Sequence, residues 1–198
     1  MLTKQELGRQ IIHAGAGIVT VTLIYFDILS SFAIFLLIII GIIASIVSKR
    51  IKLPFFSTFL HHFEREENKK KFPGRGLIYF FVGSLLVLQL FDKDIAMASI
   101  MVLGFGDSVS HIIGEKFGQW KNIFNMNSNK LLEGTLAGTF AGFLGAVLFV
   151  PIPEAVLGSA VAMIAEVVKI DLNDNTIDDN LVVPLVAGTV MFLVRLWL

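Results

Sequence analysis

The stretch GFGDSVSHIIGEKFG, Gly104–Gly118, sets Asp107, Ser108, Ser110 and His111 directly behind the uncharged run IAMASIMVLGFG. A carboxylate at membrane depth is expensive, so its first reading is functional, facing a polar cavity. The alternative is an acid that marks a helix end. Backbone amides left bare near Gly104, Gly106 and Gly114, beside a helix N-terminus, suit phosphate oxygens. The segment is neither a dinucleotide fingerprint nor a P-loop, because no strand–helix–strand unit surrounds it and GK[ST] is missing.

Three further segments carry chemistry. In NKLLEGTLAGTFAGFLG, Lys130 and Glu133 lie one helical turn apart. They suit a phosphate and Mg²⁺ respectively, or else form a helix-start ion pair of little energetic worth. Between Ala165 and Pro184 stand Glu166, Asp171, Asp174, Asp178 and Asp179, whose oxygens suit a hard ion such as Mg²⁺. DLNDNT opens like a calcium loop. Thr176 then stands where a Gly is needed and Val182 where a Glu is needed, so Asp171 and Asp174 read as a solvated loop. In ELGRQIIH, Glu6, Arg9 or Gln10, and His13 share a helix face. Arg9 either forks onto a phosphate or anchors the helix at lipid headgroups. His61 and His62 are adjacent and point about 100° apart on a helix. No histidine pair has zinc spacing, and no zinc site is expected.

These residues need elements to hold them. Of 198 residues, 55% are hydrophobic and 16% charged, against about 25% charged in soluble domains. The composition is that of an integral membrane protein. No cysteine is present, which removes disulfides and thiolate chemistry. The N-terminus lacks the small-residue cleavage site of a removable signal peptide. Seven charge-poor windows run over 10–26, 28–48, 76–91, 95–114, 134–153, 154–169 and 181–198. A span needs about 20 residues, so the second and fifth windows fit well while the third and sixth are short. With seven spans and the N-terminus inside, only Lys93 and Arg195 of the 16 Lys and Arg fall outside, as the positive-inside rule asks. The expected fold is therefore an all-α polytopic membrane bundle of about seven transmembrane helices with a cytoplasmic N-terminus. It forms one catalytic domain, 1–198, with cytoplasmic loops at about 49–76, 115–133 and 169–180. Gly134, Gly138 and Gly142 repeat as GxxxG, mainly a helix-packing face. The basic, Phe-rich loop after Lys49 reads as an interfacial segment touching anionic lipid.

Taken in order, ELGRQIIHAGAG, FERE, PGRG, GDSVSHIIGEKFG, NKLLEGTLAG and DDNLVVP resemble the CTP-dependent lipid kinases: dolichol kinases, CTP-dependent diacylglycerol kinases and phytol or farnesol kinases. The resemblance implies transfer of the γ-phosphoryl group of CTP to a membrane lipid alcohol with Mg²⁺ or another divalent cation. Polyprenol or dolichol is the first acceptor expected; diacylglycerol, phytol and farnesol follow. It also implies roles. Asp107, Lys130, Glu133 and Asp179 are the catalytic set, and Asp107, Glu133 and Asp178 the metal ligands. Arg9, His13, Gly106, Ser108, Gly114, Lys130, Gly134 and Asn180 contact the nucleotide. The family often carries a basic pair where this chain has Arg9 and Gln10. Expected partners are the lipid alcohol, CTP and the bilayer, with no nucleic acid and no disulfide partner. Two other functions use similar residues: a CTP-dependent cytidylyltransferase, attacking the α-phosphorus, and a small transporter or scaffold, whose acids would line a pore near the midplane.

Overall fold

The computed structural model describes residues 2–51, 72–124, 130–168, 171–172 and 175–198. The interfacial loop reading, His61, His62 and Asp174 lie outside these residues. Among the described residues the regular structure is helical apart from one short strand pair and an isolated bridge between Lys121 and Leu131. The order is α1 Lys4–Tyr25, α2 Ser31–Ser48, α3 Arg75–Leu90, α4 Lys93–Met101, a π-helical turn Val102–Asp107, α5 Ser108–Phe117, α6 Leu132–Ala146, α7 Ile152–Val168 and α8 Asp179–Trp197. Between α7 and α8, Asp171–Leu172 and Asn175–Thr176 pair antiparallel as β1 and β2.

Every charge-poor window carries a helix. Local signals set several starts: Thr3 and Ser30 accept from the backbone N–H groups of Glu6 and Ala33. Asp178 caps α8 by accepting from Asn180 N–H. Gly74, with φ 78°, turns the chain into α3 through a left-handed conformation that suits glycine.

Among the described residues, four helical stretches are long and apolar enough to cross a membrane: α1, α2, the continuous run Lys93–Phe117, and α8. The fifth window behaves differently from expectation. Its helix, α6, has 15 residues and stops at Ala146, because the chain turns over Val147–Val150 ahead of Pro151. Residues preceding a proline are biased away from the helical region, which ends the run early.

The middle helix organises the bundle. From Ile95 to Leu103 every residue is buried, as a helix apolar all round must be. Helices α1, α3, α6 and α8 pack around α4, and α7 reaches the π turn that follows it. Helix α2 packs against α3 and exposes Phe32, Phe35, Ile40 and Ile43. Such a large apolar surface belongs against lipid, and the protein is a membrane protein. Pro184, inside α8, has no N–H for the carbonyl of Asn180. Gly83 of α3 lies directly on that carbonyl oxygen, and a Cβ there would overlap it.

Charged residues collect at both ends of the bundle. At one, Arg195 holds Glu154 at 2.8 Å and Asp94 at 2.7 Å, and Lys93 reaches Asp27 at 2.5 Å. At the other lie Asp107, Lys130, Glu166 and Asp179. Along α8 the two groups, at Asp179 and Arg195, are separated by about 24 Å at 1.5 Å per residue.

Candidate active site

Asp107 closes the π-helical turn. Such turns replace the regular i→i−4 pattern and occur often where a helix carries function. Gly104 in this turn meets Gly17 of α1, and a Cβ on either would stand 3.2 Å from the other's Cα. This approach brings α1 and its His13 beside the acid. Ser108 Oγ donates to the carbonyl of Gln10 at 3.0 Å, fixing the two helices in register. Asp107 then lies between two imidazoles: Oδ2 is 3.5 Å from His13 Nε2, and Oδ1 is 3.5 Å from His111 Nδ1. His111 follows Asp107 by four residues, so both side chains share a helix face. Phe80 of α3 abuts the His13 ring edge-on at 5.5 Å.

Lys130 supplies the positive centre. It precedes α6 in extended chain, held by the pairing of Lys121 with Leu131 and by Leu132 N–H donating to Trp120 at 3.1 Å. Its ammonium donates to the fully buried Glu166 of α7, lies 2.9 Å from Asp179 Oδ2, and is 4.0 Å from Asp107 Oδ1. Burial disfavours the charged amine, but Glu166, Asp107 and Asp179 outweigh it and push its pKa up. Beside this group, Asp178 Oδ1 accepts from the Asn180 amide at 2.8 Å, and Oδ2 accepts from Arg75 Nε at 3.1 Å. The Arg75 guanidinium also lies over the Tyr79 ring, 5.2 Å from its centre.

The structure thus brings Asp107, Lys130, Asp179 and His13 together, with Asp178 and Asn180 alongside. Arg9 and the Gln10 amide both donate to Glu6 on the same face of α1. Glu133 stands apart from the cluster's acids. Its Oε1 accepts from the backbone N–H groups of Gln119 and Trp120, at 2.8 and 3.1 Å. The helical spacing of Lys130 and Glu133 does not hold, because α6 begins only at Leu132 and Leu131 is extended, with ψ 154°. Gly106, Gly114 and Gly134 lie in the contact of the π turn and α5 with α6. Gly138 continues that contact, and Gly142 meets Val102 and Ser159, so the GxxxG face is packed within the chain.

Three residues enter the site that the motif reading left out of it: His111, Glu166 and Arg75. Glu166 carried the same signal as Asp107, an acid inside an apolar window. One donor atom each of Asp107, His111 and Glu166 lie within 4.8 Å of one another, a group able to hold a metal ion. Among the described residues, Asp107 Oδ1, His111 Nδ1 and Glu166 Oε2 are buried without a hydrogen-bond partner. Buried polar atoms are normally paired, so this concentration of orphans fits a site built for a ligand. Two of the three are carboxylate oxygens, which fit a divalent cation. Of the metal ligands that the resemblance implied, Asp107, Glu133 and Asp178, only Asp107 belongs to this group.

A helical membrane protein with a buried acid–amine cluster near one end of its bundle is the class that fold and site define. The chain is 30% identical to an uncharacterised protein of Methanocaldococcus jannaschii over 189 residues, 94% of this chain and 93% of that one. It is 26% identical to the CTP-dependent diacylglycerol kinase 1 of Saccharomyces cerevisiae, over 75% of this chain and 51% of that protein. It is 30% identical to a probable chloroplastic phytol kinase of Triticum aestivum, over 64% of this chain and 46% of that protein. No family model and no solved structure matches it. The chain belongs to the CTP-dependent lipid kinase family, and it spans 46–64% of the length of the named kinases it matches.

Proposed function

We propose that this chain transfers the γ-phosphoryl group of CTP to the hydroxyl of a membrane lipid alcohol. The observation that carries the reading is the buried cluster of Asp107, Glu166, Asp179 and Lys130, with orphaned acceptor oxygens, in a chain of this family. Diacylglycerol and phytol, named for the relatives, come first as acceptors, ahead of the longer polyprenols.

Phosphoryl transfer requires positioning and charge neutralisation more than covalent help. Asp107 and Glu166 would hold the divalent cation, which supplies charge neutralisation at the nucleotide phosphates. Lys130 meets phosphate oxygens from the centre of the acids, with Arg9 and Arg75 at the periphery. Asp179, the first residue of α8 and the most open of the cluster's acids at 35% exposure, accepts the proton of the lipid hydroxyl. The hydroxyl oxygen forms a bond to the γ-phosphorus, the bond from that phosphorus to the bridging oxygen breaks, and CDP leaves. Glu133 acts indirectly: it holds the Gly118–Trp120 turn, which in turn sets the approach to Lys130. His13 packs beside Asp107 Oδ2, where it would meet the nucleotide phosphates.

We assign the whole chain to one catalytic domain, with α1 entering from the cytoplasm and seven helices embedded in the bilayer. The Lys and Arg distribution supports that orientation, and the short α3, α6 and α7 would then span with local thinning or end below the headgroups. The absence of cysteine makes single-cysteine accessibility labelling a clean test of it. For the chemistry, purified protein is supplied with CTP, Mg²⁺ and a lipid alcohol. Release of CDP that depends on the alcohol supports the reading. Release of pyrophosphate with a phospholipid acceptor replaces it with a cytidylyltransferase.

A further inference from the structure

We infer that the cation site of this protein includes a nitrogen ligand, His111, and so selects a Mn²⁺-class ion over Mg²⁺. The inference deepens the proposed function and rests on its claim that a divalent cation occupies the Asp107–Glu166 cluster.

The geometry around Asp107 carries it. His111 Nδ1 is 3.5 Å from Asp107 Oδ1. That is too long for an N–H···O hydrogen bond, which ends at about 3.2 Å; among the described residues neither atom has a hydrogen-bond partner, and the nearest cation to Asp107 Oδ1 is Lys130 Nζ at 4.0 Å. An octahedral ion with ligands at about 2.1 Å separates adjacent donors by about 3.0 Å and opposite donors by about 4.2 Å. The donors of Asp107, His111 and Glu166 fall within 4.8 Å, so a small contraction closes them on one ion. Asp107 and His111 are one turn apart on the same helical face, and Glu166 comes from α7 opposite them, so three donors converge from two packed elements. Lys130 engages Glu166 through Oε1, and Oε2 has no hydrogen-bond partner among the described residues. Glu166 is 1% exposed, and a carboxylate oxygen so deeply buried needs a partner.

The donor set then chooses the ion. Mg²⁺ takes oxygen and keeps its waters, and an imidazole is a poor exchange for them. Imidazole suits transition metals, carboxylates suit Mg²⁺, Ca²⁺ and Mn²⁺, and Mn²⁺ accepts both donor types. A site of two carboxylates and one imidazole, with remaining positions open to phosphate oxygens, matches Mn²⁺ more closely than an oxygen-only set does.

The test uses the full chain in detergent, stripped with chelator and titrated with Mn²⁺, with and without CTP. Pulsed electron paramagnetic resonance reads ¹⁴N coupling from a directly bound imidazole. The expected result is coupling in the wild-type protein and in His13→Asn, and its loss in His111→Asn. Mn²⁺ affinity in His111→Asn should fall by about 10–100-fold or more, the range that even an indirect partner of a metal site commands. Unchanged elution volume and far-ultraviolet circular dichroism establish that the variants fold. Mn²⁺ bound without nitrogen coupling in the wild type overturns the proposal, as does coupling that survives in His111→Asn, or no Mn²⁺ binding with or without CTP. Nitrogen-ligated Mn²⁺ in a protein that releases no CDP with any lipid alcohol leaves the ion site standing and removes the kinase reading instead.

Discussion

Lys130→Met is the most informative perturbation of the site. The wild-type amine faces Glu166, Asp179 and Asp107 together and is the cation at the centre of the three acids. Its loss leaves three neighbouring carboxylates with no counter-charge among them. Removing one partner of a buried pair costs about 3–5 kcal/mol. Asp179 is 35% exposed and can relax toward water, which favours the lower end of that range. For a chain of this length about 3 kcal/mol corresponds to a Tm lower by about 6–12 °C. Tryptophan fluorescence of Trp120 and Trp197 during heating in detergent, after chelation, reads the shift. Divalent cation should then return much of the loss, since ligand at 100 times its Kd adds about 2.7 kcal/mol. The variant should therefore show a larger cation-dependent rise in Tm than the wild type. A Tm within about 2 °C of wild type under chelation would refute the claim that Lys130 neutralises this cluster. So would a drop that cation fails to relieve.

Other substitutions separate site from scaffold. Asp107→Asn should lower CDP release by about 100-fold or more while membrane insertion stays normal, as expected when a preorganised charge at the reacting phosphate is lost. Turnover assays on membrane fractions with matched protein levels check it. At Gly138 an added Cβ would lie 2.7 Å from Gly106 O and from Ser110 Cβ, whereas at Gly142 its nearest neighbours are at 3.3 Å. Gly138→Ala should therefore cost about 1–3 kcal/mol of stability, and Gly142→Ala less, on the same thermal assay. Arg195→Met leaves the buried Glu154 without its guanidinium, lowering stability by about 1–3 kcal/mol. Its CDP release per folded molecule should not change, because Arg195 lies a helix length from the cluster.

Much of the fold is written in hydropathy, because a bilayer penalises charge wherever it falls in an apolar run. The seven windows each hold a helix for this reason, and Asp107 is conspicuous for the same one. Lengths were less legible: α6 ends where Val147–Val150 turn ahead of Pro151, a local backbone event inside a run whose composition stays apolar. Partnerships were the least legible. Glu166 sits in an apolar window, but the amine that neutralises it lies 36 residues away, on a different element. Lys130 and Glu133 look paired by helical spacing, and that spacing has no force because the helix starts between them. His111 shares a helix face with Asp107, yet its relation to Glu166 arises only when α7 packs against the π turn.

The central claim is the transfer of the terminal phosphoryl group, and label position in CTP tests it most directly. Protein in liposomes with divalent cation receives CTP labelled at the γ-phosphate or, in parallel, at the α-phosphate, together with diacylglycerol, phytol, polyprenol or phosphatidic acid. γ-Label entering a lipid alcohol, and lost in Asp107→Asn, is the predicted result. α-Label entering the lipid phase instead, or γ-label that stays with the nucleotide for every alcohol, contradicts the account.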